Sequence, residues 1–220
     1  MSPLLVLGGI VAFIGLIAYV GMVQERKRAD AMQQVATVMG FSYAKDDAGA
    51  GLPPRAATLP LFDRGHSRTA KNLLGGTLAD HPVTVLDYTY VTGSGKNRSI
   101  HRQTVALFSE AAGGLPDFEM VPENVFHKIG AVFGYQDIDF PEDEEFSKRY
   151  LLRGLDEPAI RGTFSSAARM LLLQSPGWSV QTRDGAVALF HAGRLWKPEE
   201  LPARLADALS VLNRLGRGAT

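Results

Sequence analysis

The sequence predicts an α+β protein, with an N-terminal transmembrane helix followed by an antiparallel-sheet domain and packed amphipathic helices. One observation is an uninterrupted apolar run at residues 3–23. A second is a series of β-rich segments joined by short turns, which is typical of antiparallel strands. A third is a set of amphipathic segments between and after these strands, the arrangement of α+β domains.

The apolar run contains no charged side chain and ends at the charged stretch Glu25–Arg28. About 20 residues of helix cover roughly 30 Å, the thickness of a hydrocarbon core. We therefore expect a retained anchor at residues 1–24, with the lipid bilayer as the partner of residues 3–23. A cleaved signal peptide is the alternative, but the run exceeds the typical apolar region of about 7–15 residues and has no basic residue before it.

The charges that flank this run predict its orientation. Arg26, Lys27 and Arg28 follow the span, and no side-chain cation precedes it. Positive residues stay inside, so we expect a single-pass protein of the cell (inner or plasma) membrane, with its N-terminus outside and its domain cytoplasmic. Gly8 and Ala12 have the small-xxx-small spacing that lets helices approach closely, which leaves open a homodimer through the anchor.

The remaining chain divides into a juxtamembrane helix and linker, residues 25–58, and an α+β domain, residues 59–220. Residues 25–39 have apolar side chains at helical spacing, and Gly40 is a helix stop. A stretch rich in Gly, Pro and Ala follows and predicts a loop. The tripeptide at residues 60–62 is expected to pack on the core.

Four strands are expected next, in a meander. The second of them is partly apolar on both faces, which predicts an inner strand. Their expected bounds are Leu73–Ala79, Val83–Val91, His101–Ser109 and Asp117–Val121.

The second half of the domain mixes helices and strands. We expect a helix from Pro122 to Gly134, a strand at Tyr150–Gly154 and a helix capped by Asp156. Two β-rich segments around Asp184-Gly185 predict a hairpin. Leucines at three- and four-residue steps from residue 198 to 215 predict a closing amphipathic helix.

Composition excludes several classes of function. The 23 basic and 23 acidic residues cancel, which argues against a nucleic-acid binder. The chain has no cysteine, so disulfides and thiolate metal sites are excluded. The stretch Gly93–Lys96 lacks the spacing of a P-loop and joins two expected strands rather than a strand and a helix. No cofactor is expected.

Charge is unevenly distributed along the sequence. Bases dominate residues 64–102 and acids dominate residues 117–145. These stretches are either two surfaces for different partners, or charges that pair with each other or with solvent. The residues singled out for interaction are Lys96, Arg98, His101, Asp137 and Asp139.

Two arrangements favour an enzyme instead. His101 lies near Asp87 if their strands pair, which would form an acid–base couple. Asp137 and Asp139 share one side of an extended segment, where carboxylate oxygens would hold a hard cation for a hydrolase. A hydrogen-bonded structural histidine and a solvated acidic loop are the corresponding structural interpretations.

The stretches Thr89–Phe108 and Ile129–Arg161 resemble those of a family of bacterial membrane-anchored proteins of unknown function, as do the preceding LPLFDRG and the closing KPEELP. This resemblance implies a bacterial source, and it directs attention to the hairpin at Gly93–Arg98 and to the loop at residues 136–140. The resemblance implies no activity. The anchor, the zero net charge, the uneven distribution of charge and the absence of a catalytic motif together predict a non-enzymatic, membrane-anchored module whose cytoplasmic domain binds another protein.

Overall fold

The computed structural model describes residues 3–46, 52–109, 114–125 and 137–216, with side chains described from residue 13 onward. Its first element is a continuous helix, α1, which extends over Pro3–Met39. The apolar run and the following charged segment therefore belong to the same helix. Gly8 and Ala12, the expected dimer contact, have side chains outside the described part.

The predicted N-terminal transmembrane helix is wrong. Within the described residues, no helix combines the length and the apolar character needed to cross a bilayer. The expectation of a single-pass transmembrane protein is wrong for the same reason. The partners and location expected for residues 3–23 stay predictions.

The second half of α1 packs on the sheet. Met32 and Ala36 are fully buried, and Val35 and Met39 pack against the same core. This is the apolar face that the helical spacing predicts. The helix ends at Gly40, whose positive φ of 70° is readily adopted by glycine.

The described strands form one antiparallel sheet of eight strands in the order β1-β2-β3-β4-β8-β7-β5-β6. Their bounds are β1 Ser42–Asp46, β2 His66–Leu78, β3 His81–Thr92, β4 Ser99–Phe108, β5 Phe118–Pro122, β6 Tyr150–Gly154, β7 Trp178–Arg183 and β8 Ala186–His191.

The first four strands are neighbours in chain order, as the meander prediction requires, and β3 is an inner strand between β2 and β4. The fourth expected strand, β5, does not continue the meander. It pairs instead with β6 and β7. The hairpin β7–β8 lies between β4 and β5, because residues Val105–Phe108 of β4 pair with Val187–Phe190 of β8.

Both faces of the sheet are covered. On the first face, α1 and the later helices pack against residues such as Val85 and Ala106. On the second face, residues 52–63 lie over Leu86 and Leu107 through buried Leu59 and Leu61. This covering segment contains a 3-10 helix, Ala56–Thr58, and a one-turn helix, α2, Pro60–Asp63. The expected packing of residues 60–62 on the core is confirmed.

The later helices are α3 Glu144–Arg149, α4 Glu157–Thr163, α5 Ser166–Gln174 and α6 Leu201–Gly216. The helix expected from Asp156 is two helices, α4 and α5. Ser165 caps a new helix, because its hydroxyl accepts a hydrogen bond from Ala168 N. The helix expected up to Gly134 lies mostly outside the described residues.

The last hairpin and the closing helix agree with the sequence. Asp184 and Gly185 both have positive φ, 51° and 78°, as a two-residue turn of type I′ requires. Helix α6 buries its leucines, among them Leu201, Leu205 and Leu212, against the first-face core.

Candidate functional site

The register of β3 and β4 separates the residues of the expected acid–base couple. Asp87 pairs with Thr104, whereas His101 pairs with Tyr90. Side chains alternate along a strand, so Asp87 and Tyr90, three residues apart, point to opposite faces of the sheet. His101 and Asp87 therefore cannot exchange a proton directly, and that enzyme hypothesis is wrong.

Asp87 is instead the centre of a buried polar network. Its carboxylate accepts two hydrogen bonds from Arg28, both 2.7 Å, and further ones of 2.8 Å from Asn72 Nδ2 and Thr104 Oγ1. Arg28 also donates to Trp196 O, at 2.9 Å. With these partners, Asp87 is a structural anchor that holds α1 on the sheet.

His101 lies on the second face as a structural residue. Its Nε2 atom is 2.8 Å from Thr92 Oγ1, and its ring stacks on Tyr90 with centroids 4.6 Å apart. Burial, together with the positive charge of Arg64, lowers the pKa of His101 below its usual value. The ring is therefore neutral near pH 7 and packs as an aromatic group.

Asp137 and Asp139 make separate contacts within the fold, Asp137 with the edge strand β6 and Asp139 with α4. The Asp137 carboxylate accepts a hydrogen bond from Leu152 N, and Ile138 N donates to Leu152 O. These bonds occupy the outward N–H and C=O groups of Leu152, in the middle of the edge strand. Burial raises the pKa of Asp137 above its usual value. Asp139 contributes its backbone carbonyl, which accepts from Arg161.

The described residues contain no group of three or more His, Cys, Asp or Glu arranged to hold a metal ion. The acids that follow Asp139 are paired within the fold. Arg169 binds Glu142 and Asp143, at 3.2 and 2.8 Å. Glu144 and Glu145 pair with cations one turn later on α3. We call residues Glu142–Glu145 the acidic segment, and each of its four acids has a cationic partner within the fold.

An open cleft of about 920 Å³ lies near the end of β5. Its described lining contains no histidine, serine or threonine, and its cations are Lys148 and Arg149. Both cations already pair with acids of α3. Two carboxylates, Glu123 and Glu145, also line the cleft, and Glu145 pairs with Arg149.

The connection between β3 and β4 has a different character. Every residue from Gly93 to Ile100 is exposed. Gly93 has a φ of 69°, and a Cβ atom there would lie 2.3 Å from Asn97 O, so the turn requires glycine. Residues Gly95–Asn97 form a single 3-10 turn. This connection is a projecting hairpin end, as the sequence predicts.

The hairpin end carries three cations, Lys96, Arg98 and Arg102, and none of them forms a salt bridge or a side-chain hydrogen bond with the described residues. Ile100, between the two arginines, is 47% exposed. We call Lys96, Arg98, Ile100 and Arg102 the cationic tip. It brings together Lys96 and Arg98 from the sequence prediction. It does not include Asp137, which binds β6, or Asp139, which binds α4.

Sequence reasoning did not single out Ile100 or Arg102 as site residues. The signal is an alternation in which Arg98, Ile100 and Arg102 recur every second residue, which places them on one face of a strand. Sequence reasoning also assigned Arg28 to a membrane boundary, although it pairs with Asp87.

Comparison with known proteins gives the fold alone. No family model matches the chain, and no curated protein matches it. The fold is similar to the crystal structure of the mycobacterial trehalose monomycolate transport factor A, TtfA, with a TM-score of 0.60 and 10% sequence identity. The match covers 88% of this chain and 94% of that one. The resemblance to a family of unknown function stays a prediction.

Proposed function

We propose that this chain is a non-enzymatic binding module that contacts an acidic surface of another protein through the cationic tip. The observation that carries this proposal is the absence of ionic partners for Lys96, Arg98 and Arg102 within the described structure. Exposed cations grouped on a projecting hairpin attract a partner of opposite charge and raise the rate of encounter with it.

The placement of the other candidate residues supports a binding role over catalysis. The Asp87 carboxylate accepts four hydrogen bonds within the fold. His101 stacks on Tyr90, and Asp137 binds the backbone of β6. Each of these groups is committed to the fold. Asp87 and His101 each bond to a threonine hydroxyl, but they lie on opposite faces of the sheet, so they do not form the carboxylate–histidine–hydroxyl arrangement of nucleophilic catalysis.

The likeness to a transport factor supports the same class of role. The similar solved structure belongs to a protein named for the transport of trehalose monomycolate. By analogy of fold, we propose that this chain is an accessory factor whose partner is a protein of a transport process.

Quantitative affinity capture tests this proposal. Tagged full-length protein is recovered from gently solubilised cells, and its partners are quantified by mass spectrometry. The double variant Lys96→Glu/Arg98→Glu is compared with Lys45→Glu, an exposed cation on β1, at the far edge of the sheet. We expect a stoichiometric partner whose recovery falls about tenfold in the double variant and is unchanged in the control.

Two outcomes would contradict the proposal. One is a partner recovered equally with all three proteins, which would place the contact elsewhere. The other is the absence of any stoichiometric partner after cross-linking, combined with turnover of a small molecule by the purified chain.

A further inference from the structure

Strand β4 is longer than the partner on its outer side. On one side it pairs with β3 along its whole length, from Ser99 to Phe108. On the other side, β8 pairs only with Val105–Phe108. Next to these pairs, Thr104 N donates to Arg194 O. The segment that follows β8 turns at Gly193, where φ is 73°, and does not continue along β4. Within the described structure, the outer edge of β4 is therefore open from Ser99 to Gln103.

Alternation of the backbone identifies the groups that face this open edge. Thr104 N points outward, to Arg194, so the N–H and C=O groups of Arg102 and Ile100 point outward as well. No described backbone group binds them on that side. Unpaired edge groups of this kind are a template for another extended strand.

The side chains along this edge are also accessible. Ile100 and Arg102 lie on the same face of β4 as Thr104, and Arg98, which is extended with φ −69° and ψ 125°, continues the alternation. All three side chains are exposed. The edge thus presents the pattern cation, apolar residue, cation at every second position.

We propose that the open edge of β4 at Ile100–Arg102 binds an extended segment of the partner protein as an additional β-strand. The segment has an acidic residue, an apolar residue and an acidic residue at every second position. This inference rests on the proposed function and names the geometry of the contact. Backbone bonds to Ile100 and Arg102 provide affinity, and the side chains select the sequence.

Charge selects this occupant over the alternatives. In an added strand, side chains opposite Arg98 and Arg102 lie on the same face as the arginines, and opposite charges there are stabilising. A second copy of this chain would place arginines against arginines, which is destabilising. The edge at β6 is not an equivalent site, because Asp137 and Ile138 occupy the outer groups of Leu152.

A labelled peptide tests the inference on the full-length protein. The probe is Gly-Ser-Asp-Thr-Val-Thr-Glu-Ser-Gly with an N-terminal fluorophore, and binding is followed by fluorescence anisotropy. A peptide of the same composition with its acids adjacent is the matched control, since it keeps the net charge. We expect the alternating peptide to bind about tenfold more tightly, through its two same-face ion pairs and its apolar contact.

A second peptide isolates the backbone bonds without altering the protein. Methylation of the amide nitrogens that face β4 removes the donors and leaves charge and sequence unchanged. We expect binding to weaken at least about tenfold, because the backbone hydrogen bonds to Ile100 and Arg102 are lost.

The complementary protein variant is Ile100→Pro. It removes an outward N–H that the β3–β4 ladder does not use, and proline is tolerated on edge strands. It should lose the peptide while retaining the wild-type circular dichroism spectrum. The variant Lys45→Glu should bind as the wild type does.

The possible failures are distinguishable. Equal binding of the alternating, adjacent-acid and methylated peptides would overturn strand addition, while capture that still depends on Arg98 would keep the proposed function. If the variant Arg98→Glu/Arg102→Glu changes neither partner capture nor peptide binding, strand addition and the proposed function are both overturned. A dimer that Ile100→Pro dissociates would show that a second copy occupies the edge, which also contradicts the inference.

Discussion

The cationic tip and the acidic segment look alike in the sequence, since each is a short run of like charges, but the structure treats them differently. Arg169, whose side chain is only 8% exposed, binds two acids of the acidic segment and also donates to Phe164 O. Its guanidinium lies 4.3 Å from the Phe140 ring centroid. The tip cations have no such partners within the described structure. Charge clusters with partners inside the fold hold it together, whereas clusters without them are available for binding.

The largest expected effect concerns the most deeply paired charge. Asp87→Ala leaves the Arg28 guanidinium against the sheet without its carboxylate, so we expect a loss of about 3 kcal/mol in the free energy of unfolding. Asp30→Ala, an exposed acid on the same helix, should change stability by less than about 0.5 kcal/mol. Urea unfolding measures both. A loss below about 1 kcal/mol for Asp87→Ala, the size of an exposed pair, would contradict the structural role of the network.

The next effect tests the acidic segment itself. Arg169→Met keeps the apolar stem and removes the donors to Asp143 and Phe164, so we expect a loss of about 2 kcal/mol in the free energy of unfolding. Lys148→Met removes an exposed pair with Glu144 and should change stability by less than about 1 kcal/mol. Equal changes in the two variants would show that the contacts of the buried Arg169 contribute no more to stability than an exposed ion pair of the same segment. Thermal and urea unfolding distinguish these results.

The free energy of unfolding is expected to depend on pH through the buried residue His191. Burial, reinforced by Arg204 and Arg194, lowers the pKa of His191 from 6.5 to about 4. The ring packs 4.2 Å from Trp178 and accepts a hydrogen bond from Trp196 Nε1 at 3.3 Å. The unfolded chain takes up this proton at higher pH than the folded one does. Stability from neutral His191 is therefore complete above about pH 6.5 and is lost as the pH falls to about 4.

The measurement is the free energy of unfolding from pH 7 to pH 4, compared between the wild type and His191→Gln. Asp137, whose raised pKa acts in the opposite direction, is common to both proteins and cancels in the difference. The wild type should lose more stability than the variant across this window. Parallel profiles would show that His191 titrates in the fold as it does in the unfolded chain.

The smallest expected effect on stability is at the tip. Lys96→Glu and Arg98→Glu remove no ionic contact with the described residues, so each should change the free energy of unfolding by less than about 0.5 kcal/mol. Urea unfolding beside the capture experiment tests this separation of stability from binding. A loss above about 1.5 kcal/mol would reveal an internal partner for these cations.

Local signals in the sequence predicted much of the sheet. Alternation located β3 and β4, and Asp184-Gly185 located the β7–β8 turn, because these features depend on neighbours in the chain. The sequence did not predict that residues 66–72 belong to β2. This part of the strand begins with polar, exposed residues, and its pairing is irregular near Lys71. The β7–β8 hairpin inserts between β4 and β5 through contacts between residues distant in the chain, which no local sequence pattern predicts.

The candidate site was predictable in part. The glycine-rich turn indicated an exposed hairpin with Lys96 and Arg98, because glycine and charge both mark strand connections. Register was the missing information. One antiparallel pairing separates Asp87 from His101, and another leaves Ile100 and Arg102 at an open edge. The roles of Arg28 and Asp137 depend on contacts with residues distant in the chain, Asp87 and Leu152.

The most direct test of the central claim is amide hydrogen exchange of the full-length chain, alone and in complex with its captured partner. We predict that the partner slows exchange at Ile100 and Arg102 and leaves the acidic segment and α3 unchanged. Slower exchange confined to residues 142–149, with none at the tip, would contradict the claim that the uncompensated charges form the contact.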